Sequence, residues 1–152
     1  MSEEFTILHL TWRLPRIANT VSTPRRALQS ALTALGVTAD CVADLVLALT
    51  EACANAVEHA HLAAEYHVTI TADRHRCAVE IVDCGVGIAD PARVRPSSVA
   101  PAAHRGRGIM IMQACTDSLD LAPVDPHGLA VRFTKRLAWE PGSPDRLLAP
   151  AG

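Results

Sequence analysis

The chain has 152 residues, 49% of them hydrophobic and 20% charged, with a formal net charge of −2. That is the composition of one folded domain with a single core; it excludes a disordered chain and gives no electrostatic footprint for direct nucleic-acid binding. No apolar run approaches the about 18 residues of a membrane span, and M-S-E-E-F is not a secretory leader, so no membrane role is expected.

In chain order the pattern alternates between strands and helices. Phe5 to Leu10 reads as a strand and Arg13 to Ala18 as a second, with Pro15 confining the latter to a sheet edge. Ser22, Thr23 and Pro24 form a helix start, Ala27, Leu28, Ala31, Leu32 and Leu35 follow at helical spacing, and Gly36 stops the run. Thr38 caps a long helix expected over 39–63. His67 to Ala72 and Arg76 to Asp83 read as a hairpin across a short charged turn. Gly85 to Arg105 has no sustained period and reads as a loop, long enough to be functional. Gly106 to Cys115 reads as a short helix, and Ser118 to Ala122 and Leu129 to Leu137 as two closing strands. The domain is expected to span 5–137, with 138–152 a frayed tail. This order implies an α+β chain, a two-layer α/β sandwich with helices on one face of a mixed, largely antiparallel sheet. The five cysteines are odd in number and form no C-x-x-C. Cys41, Cys53 and Cys77 fall at apolar positions and read as core thiols in a reducing, cytoplasmic setting.

Three segments carry chemistry. Within the long helix, A-L-T-E-A-C-A-N-A-V-E-H places Glu51, Asn55 and His59 at steps of four, which stacks a carboxylate, an amide and an imidazole along one face. A solvated surface stripe is the default for such a pattern. Here the flanking residues are Leu47, Ala48 and Ala52, so the face is lined rather than washed by water. The second segment, V-E-I-V-D-C-G-V-G-I, ends a strand in Asp83 and follows it with Gly85 and Gly87. A carboxylate there can accept a hydrogen bond from an exocyclic amine, and the glycines leave room for a flat ring. The same pattern occurs in plain turns; a calcium loop would need further carboxylates where Cys84 and Val86 stand. The third, H-R-G-R-G-I-M-I-M, sets Gly106 and Gly108 at a helix start beside Arg105 and Arg107, a common way to hold phosphate. His59-x-His61-x3-Glu65 has metal-like spacing but lacks a fourth ligand.

In this order the three segments resemble the N box and the two glycine boxes of the GHKL ATPase superfamily, which includes gyrase, histidine kinases and MutL. E-A-C-A-N-A-V-E-H-A closely resembles the N box of bacterial anti-sigma-factor serine kinases, and G-L-A-V-R-F-T-K-R-L is similar to their last strand. The resemblance covers Phe5 to Leu137 and implies a Bergerat-type ATP-binding fold. It implies that Asn55 holds the Mg²⁺ bridging the ATP phosphates, and that Asp83 bonds the adenine amine beside Gly85 and Gly87. Gly106 and Gly108 would hold phosphates at the hinge of a lid formed by Ile88 to Arg105. Either Arg105 or Arg107 would reach the γ-phosphate, and Thr134 would lie near the adenine. Glu51 would be the general base, and His59 either a neighbour of the phosphates or a structural histidine. The glycine pair is sparser than in many relatives, which bears on lid closure and turnover rather than on nucleotide binding.

The function implied is an anti-sigma factor that sequesters a sigma factor of RNA polymerase and phosphorylates a STAS-type anti-anti-sigma protein on serine, commonly as a homodimer. The alternative is a non-catalytic, nucleotide-dependent partner-switching module; a stand-alone ATP hydrolase is a third reading.

Overall fold

The computed structural model describes residues 5–59, 65–83, 100–124 and 128–143, with the side chains of 59 and 100–106 outside that description. Strand β1 (Leu8–Pro15) leads through a 3₁₀ turn (Ala18–Val21) into α1 (Ser22–Leu35) and α2 (Ala39–His59). Then come β2 (Glu65–Ala72), β3 (Arg76–Asp83), α3 (Ala100–Cys115), β4 (Ser118–Val124) and β5 (Gly128–Arg136). The five strands form one sheet in the order β1-β2-β3-β5-β4, and each described pairing is antiparallel. The expected two-layer α+β sandwich is therefore present, with a sheet more uniformly antiparallel than expected.

Period-two alternation assigns the two faces of the sheet. Tyr66, Val68 and Ile70 of β2, Cys77, Val79 and Ile81 of β3, and Val131 and Phe133 of β5 are buried on the inner face. Against them pack Leu28 and Leu32 of α1 and the small-residue face of α2, where Leu45, Ala48, Leu49, Ala52 and Cys53 have no exposed surface. Burying each such leucine contributes about 1.5–3 kcal/mol, and the alanines let α2 lie close to its neighbours. α2 contacts both α1 and α3 and crosses β3, so its polar stripe is held by the core of the domain.

Local chemistry fixes the ends. The Asp73 carboxylate accepts the backbone N–H groups of His75 (2.6 Å) and Arg76 (2.8 Å), closing the β2–β3 turn. Gly36 ends α1 in the left-handed conformation at φ 99°, and its N–H donates to Leu32 and Thr33. Ser22 does not cap α1: the helix starts at Ser22 itself, after the 3₁₀ turn, and the Ser22 hydroxyl donates to the Asn19 carbonyl.

Three boundaries differ most from the sequence reading, and one lies beyond the described residues. The two expected N-terminal strands are one, because Trp12 and Leu14 continue the alternation and Pro15 falls at the last position of an edge strand, where its missing N–H costs little. α3 starts at Ala100, six residues before the expected start, taking in Pro101 near its first position and the helix-forming Ala102 and Ala103. α2 is described to His59, and the expected 60–63 extension lies outside the described residues. The chain is also ordered beyond Leu137: Val37 bridges Trp139, the Thr38 N–H donates to the Ala138 carbonyl (2.8 Å) and the Glu140 N–H to the Gly36 carbonyl (2.8 Å).

Candidate functional site

The site is built where α2 meets α3. Glu51 and Asn55, one helical turn apart, are half-buried on the face of α2 turned toward α3. Opposite them stands Gly108. A Cβ at Gly108 would lie 3.1 Å from Glu51 Oε2, 3.5 Å from Asn55 Nδ2 and 3.6 Å from Asn55 Oδ1. The carboxylate and the amide thus both pack against the bare glycine, at a place that a side chain on residue 108 would crowd. Hard oxygen donors at such a place suit Mg²⁺ and phosphate chemistry.

Asp83 closes β3 on the inner face, in line with Cys77, Val79 and Ile81, and is itself buried. A buried carboxylate at a strand end is a strong acceptor for an amine donor. Its register partners are Tyr66 on β2 and Leu129 on β5. Tyr66 was not among the sequence candidates. It has no exposed surface, shares Asp83's face and is hydrogen-bonded through its hydroxyl to Thr20 Oγ1 at 2.8 Å. The inward phase of β2 was the available signal for it.

The other expected residues divide. Gly106 and Gly108 lie inside α3 rather than at its start, so their N–H groups belong to the helix, and Gly108 meets Glu51 and Asn55 with its bare Cα. Arg107 is exposed on α3. Arg105 lies in the backbone of α3 and His59 ends α2, and the side chains of both fall outside the described residues, as do Gly85 and Gly87 entirely. Thr134 is not brought to this group. It follows the inward Phe133, so it stands on the outer face of the sheet, where its hydroxyl meets Ser118 Oγ at 2.5 Å. Its neighbour Lys135 confirms the phase, reaching Asp44 of α2 at 3.3 Å on the inner side.

The comparisons with known proteins agree with this fold. The profile of the histidine kinase-like ATPase domain matches residues 14–135. Among solved structures, the RsbU and RsbW domains of Rv1364c from Mycobacterium tuberculosis superpose with a TM-score of 0.65 at 20% identity, covering 86% of this chain. This chain spans 32% of that one. The SiaB–SiaC complex from Pseudomonas aeruginosa superposes at a TM-score of 0.66 and 16% identity, covering 86% of this chain and 90% of that one. At these identities the likeness is one of fold. No curated protein matches the chain. No helix among the described residues is long and apolar enough to cross a membrane.

Proposed function

The chain belongs to the histidine kinase-like ATPase domain family, and from that premise we propose that it transfers the γ-phosphate of ATP to a serine of a STAS-type anti-anti-sigma protein and sequesters a sigma factor. The observation that supports the reading is the close approach of Glu51 and Asn55, one helical turn apart, to the bare Gly108. A module that only binds nucleotide needs the amide but has no use for a second carboxylate one turn away. A fold shared with an RsbW domain and with a protein solved as a two-component complex supports a role exercised on partners.

In this reading Asn55 Oδ1 would hold a Mg²⁺ ion, which would supply charge neutralisation at the phosphates. Asp83 accepts the adenine amine, and an arginine of α3, at 105 or 107, compensates the γ-phosphate. Glu51 accepts the proton of the attacking serine hydroxyl as its oxygen bonds to the γ-phosphorus; the bond from that phosphorus to the bridging oxygen breaks and ADP departs. Positioning and charge neutralisation supply most of the acceleration in such a transfer, and a positioned base adds about 10²–10⁴-fold.

The test uses γ-labelled ATP, Mg²⁺ and a panel of STAS-type proteins, with wild type, Glu51→Gln and Asn55→Ala compared and nucleotide affinity measured separately. The expected result is label on a partner serine, lost by about 10²-fold or more in Glu51→Gln while ATP still binds, and Mg²⁺-dependent binding lost in Asn55→Ala. ATP binding with no labelled partner would replace the kinase with a nucleotide-gated binding module. No ATP binding to wild type would overturn the site.

A further inference from the structure

The outer face of the sheet carries a second polar constellation, at the far end of β3 from Asp83. Arg76 and Arg136 are register partners on β3 and β5. Both fall on the outer phase of their strands and, with Asp117, Ser118 and Thr134, line a groove of about 440 Å³. Seven residue steps of strand lead from Arg76 to Asp83, about 24 Å at some 3.4 Å per step, and the sheet itself lies between the two.

Like charges directly opposite across an antiparallel pair are destabilising. Elsewhere on this face the same relationship is used to neutralise charge: Glu80 opposes Arg132 in register, and the Arg132 guanidinium donates to the Glu80 carboxylate. Among the described residues, the ion pairs Arg13–Glu65, Arg132–Glu80 and Lys135–Asp44 involve neither Arg76 nor Arg136. The nearby carboxylates are engaged with backbone. Asp117 Oδ2 accepts the Arg136 N–H, and Asp73 Oδ1 accepts the N–H groups of His75 and Arg76. Two guanidinium forks against one lining carboxylate leave the groove net positive. Ser118 and Thr134 are bonded hydroxyl to hydroxyl. One proton serves that bond, so the accepting hydroxyl keeps its own proton to donate.

We propose that this groove binds a phosphate dianion, either free phosphate or the phosphorylated side chain of a partner protein. Arg76 and Arg136 supply paired N–H donors to its oxygens, the Ser118–Thr134 pair supplies a further O–H, and the bound charge offsets the repulsion between the arginines. The site is separate from the Glu51–Asn55 centre by position and does not depend on the reading of that centre.

The test is an amide NMR titration of the full chain at constant ionic strength with inorganic phosphate, a phosphoserine peptide, its unphosphorylated form and chloride. Saturable shifts are expected at Arg76, Ser118, Thr134 and Arg136 with the phosphate probes alone. A phosphopeptide that binds more tightly than phosphate identifies the protein-borne source; equal or weaker binding identifies free phosphate. Arg76→Ala with Arg136→Ala should weaken binding more than tenfold, given about 1.5–3 kcal/mol for a charge-assisted hydrogen bond. Arg136→Gln alone, which keeps the strand polar, should weaken it severalfold. Asn55→Ala should leave it unchanged, which separates this site from the nucleotide centre. Absence of saturable shifts, equal shifts with chloride, or binding that survives in Arg136→Gln and in the double variant would overturn the proposal.

Discussion

Gly108 on α3 faces Glu51 on α2 so closely that a methyl group at position 108 would come within 3.1 Å of the Glu51 carboxylate. Glycine inside a helix is otherwise a liability of about 1 kcal/mol relative to alanine. At Gly108 the liability coincides with the place where Glu51 and Asn55 both pack against α3, a contact that a larger side chain would crowd.

Gly108→Ala should therefore separate stability from function. The crowded atom is the far end of a flexible carboxylate, which can swing aside, so the variant should fold with stability unchanged or raised by up to about 1 kcal/mol. Glu51 and Asn55 would no longer share the same space, and phosphoryl transfer should fall at least about tenfold. Urea denaturation and the labelled-ATP assay on one preparation check both halves. A loss of stability with activity retained would show that Gly108 serves packing alone.

The segment after β5 ties the corner between α1 and α2 to the sheet. The Trp139 indole N–H donates to the Arg74 carbonyl at 2.9 Å, while Ala138 and Glu140 take up the backbone of Thr38 and Gly36. Trp139→Phe keeps most of the apolar contact and should cost about 1 kcal/mol. Trp139→Ala should cost about 2–4 kcal/mol, short of a full core tryptophan because the ring is half-buried. Truncation after Leu137 should cost at least as much. Urea midpoints of the three variants check the order.

What the sequence disclosed and what it hid follow from the range of the interactions. The step of four from Glu51 to Asn55, the apolar face of α2 and the end of β3 at Asp83 are local patterns, and each is where the periodicity put it. Gly108's role is not local: its partner is 57 positions earlier in the chain, and the sequence shows only a glycine near a helix. The start of α3 was hidden by Pro101, which breaks a helix interior but suits a first turn. The strap at Trp139 was hidden because Pro and Gly follow it, and its order rests on backbone groups of Gly36, Thr38 and Arg74 that have no side-chain signature. For Thr134, family resemblance pointed to the nucleotide, whereas simple alternation from Phe133 already assigned it to the outer face.

Alkaline conditions should weaken the fold through two buried thiols. Burial pushes Cys53 up to about 12, and burial, with Cys41 and Asp73 adding, does the same for Cys77. An unfolded thiol ionises near 9, so below that pH both states hold the proton and stability does not depend on it. Between about 9 and about 12 the unfolded chain releases protons that the folded chain keeps, and stability falls as pH rises. Each thiol contributes a slope of about 1.4 kcal/mol per pH unit in that window. Urea unfolding at pH 8, 9.5 and 10.5 should show the decline, and Cys53→Ala should make it shallower by one thiol's share. An identical slope in the variant would exclude Cys53 as a source.

The Thr20–Tyr66 bond gives an asymmetric pair of mutations. Thr20 Oγ1 lies 2.7 Å from the Ile17 carbonyl and 2.9 Å from that of Pro15 as well as 2.8 Å from the Tyr66 hydroxyl. Its own proton goes to a carbonyl, so Tyr66 donates to Thr20. Tyr66→Phe leaves Thr20 satisfied and should cost about 0.5–1.5 kcal/mol. Thr20→Val strands a buried phenol and should cost about 1–3 kcal/mol, more than the tyrosine change. The double variant removes both groups and should cost less than the two singles together, a coupling measurable by a double-mutant cycle in urea. Because Tyr66 stands opposite Asp83 in register, Thr20→Val should also weaken nucleotide binding where Tyr66→Phe does not. Equal effects of the two singles on stability and on binding would mean that the bond anchors the 3₁₀ turn without bearing on Asp83.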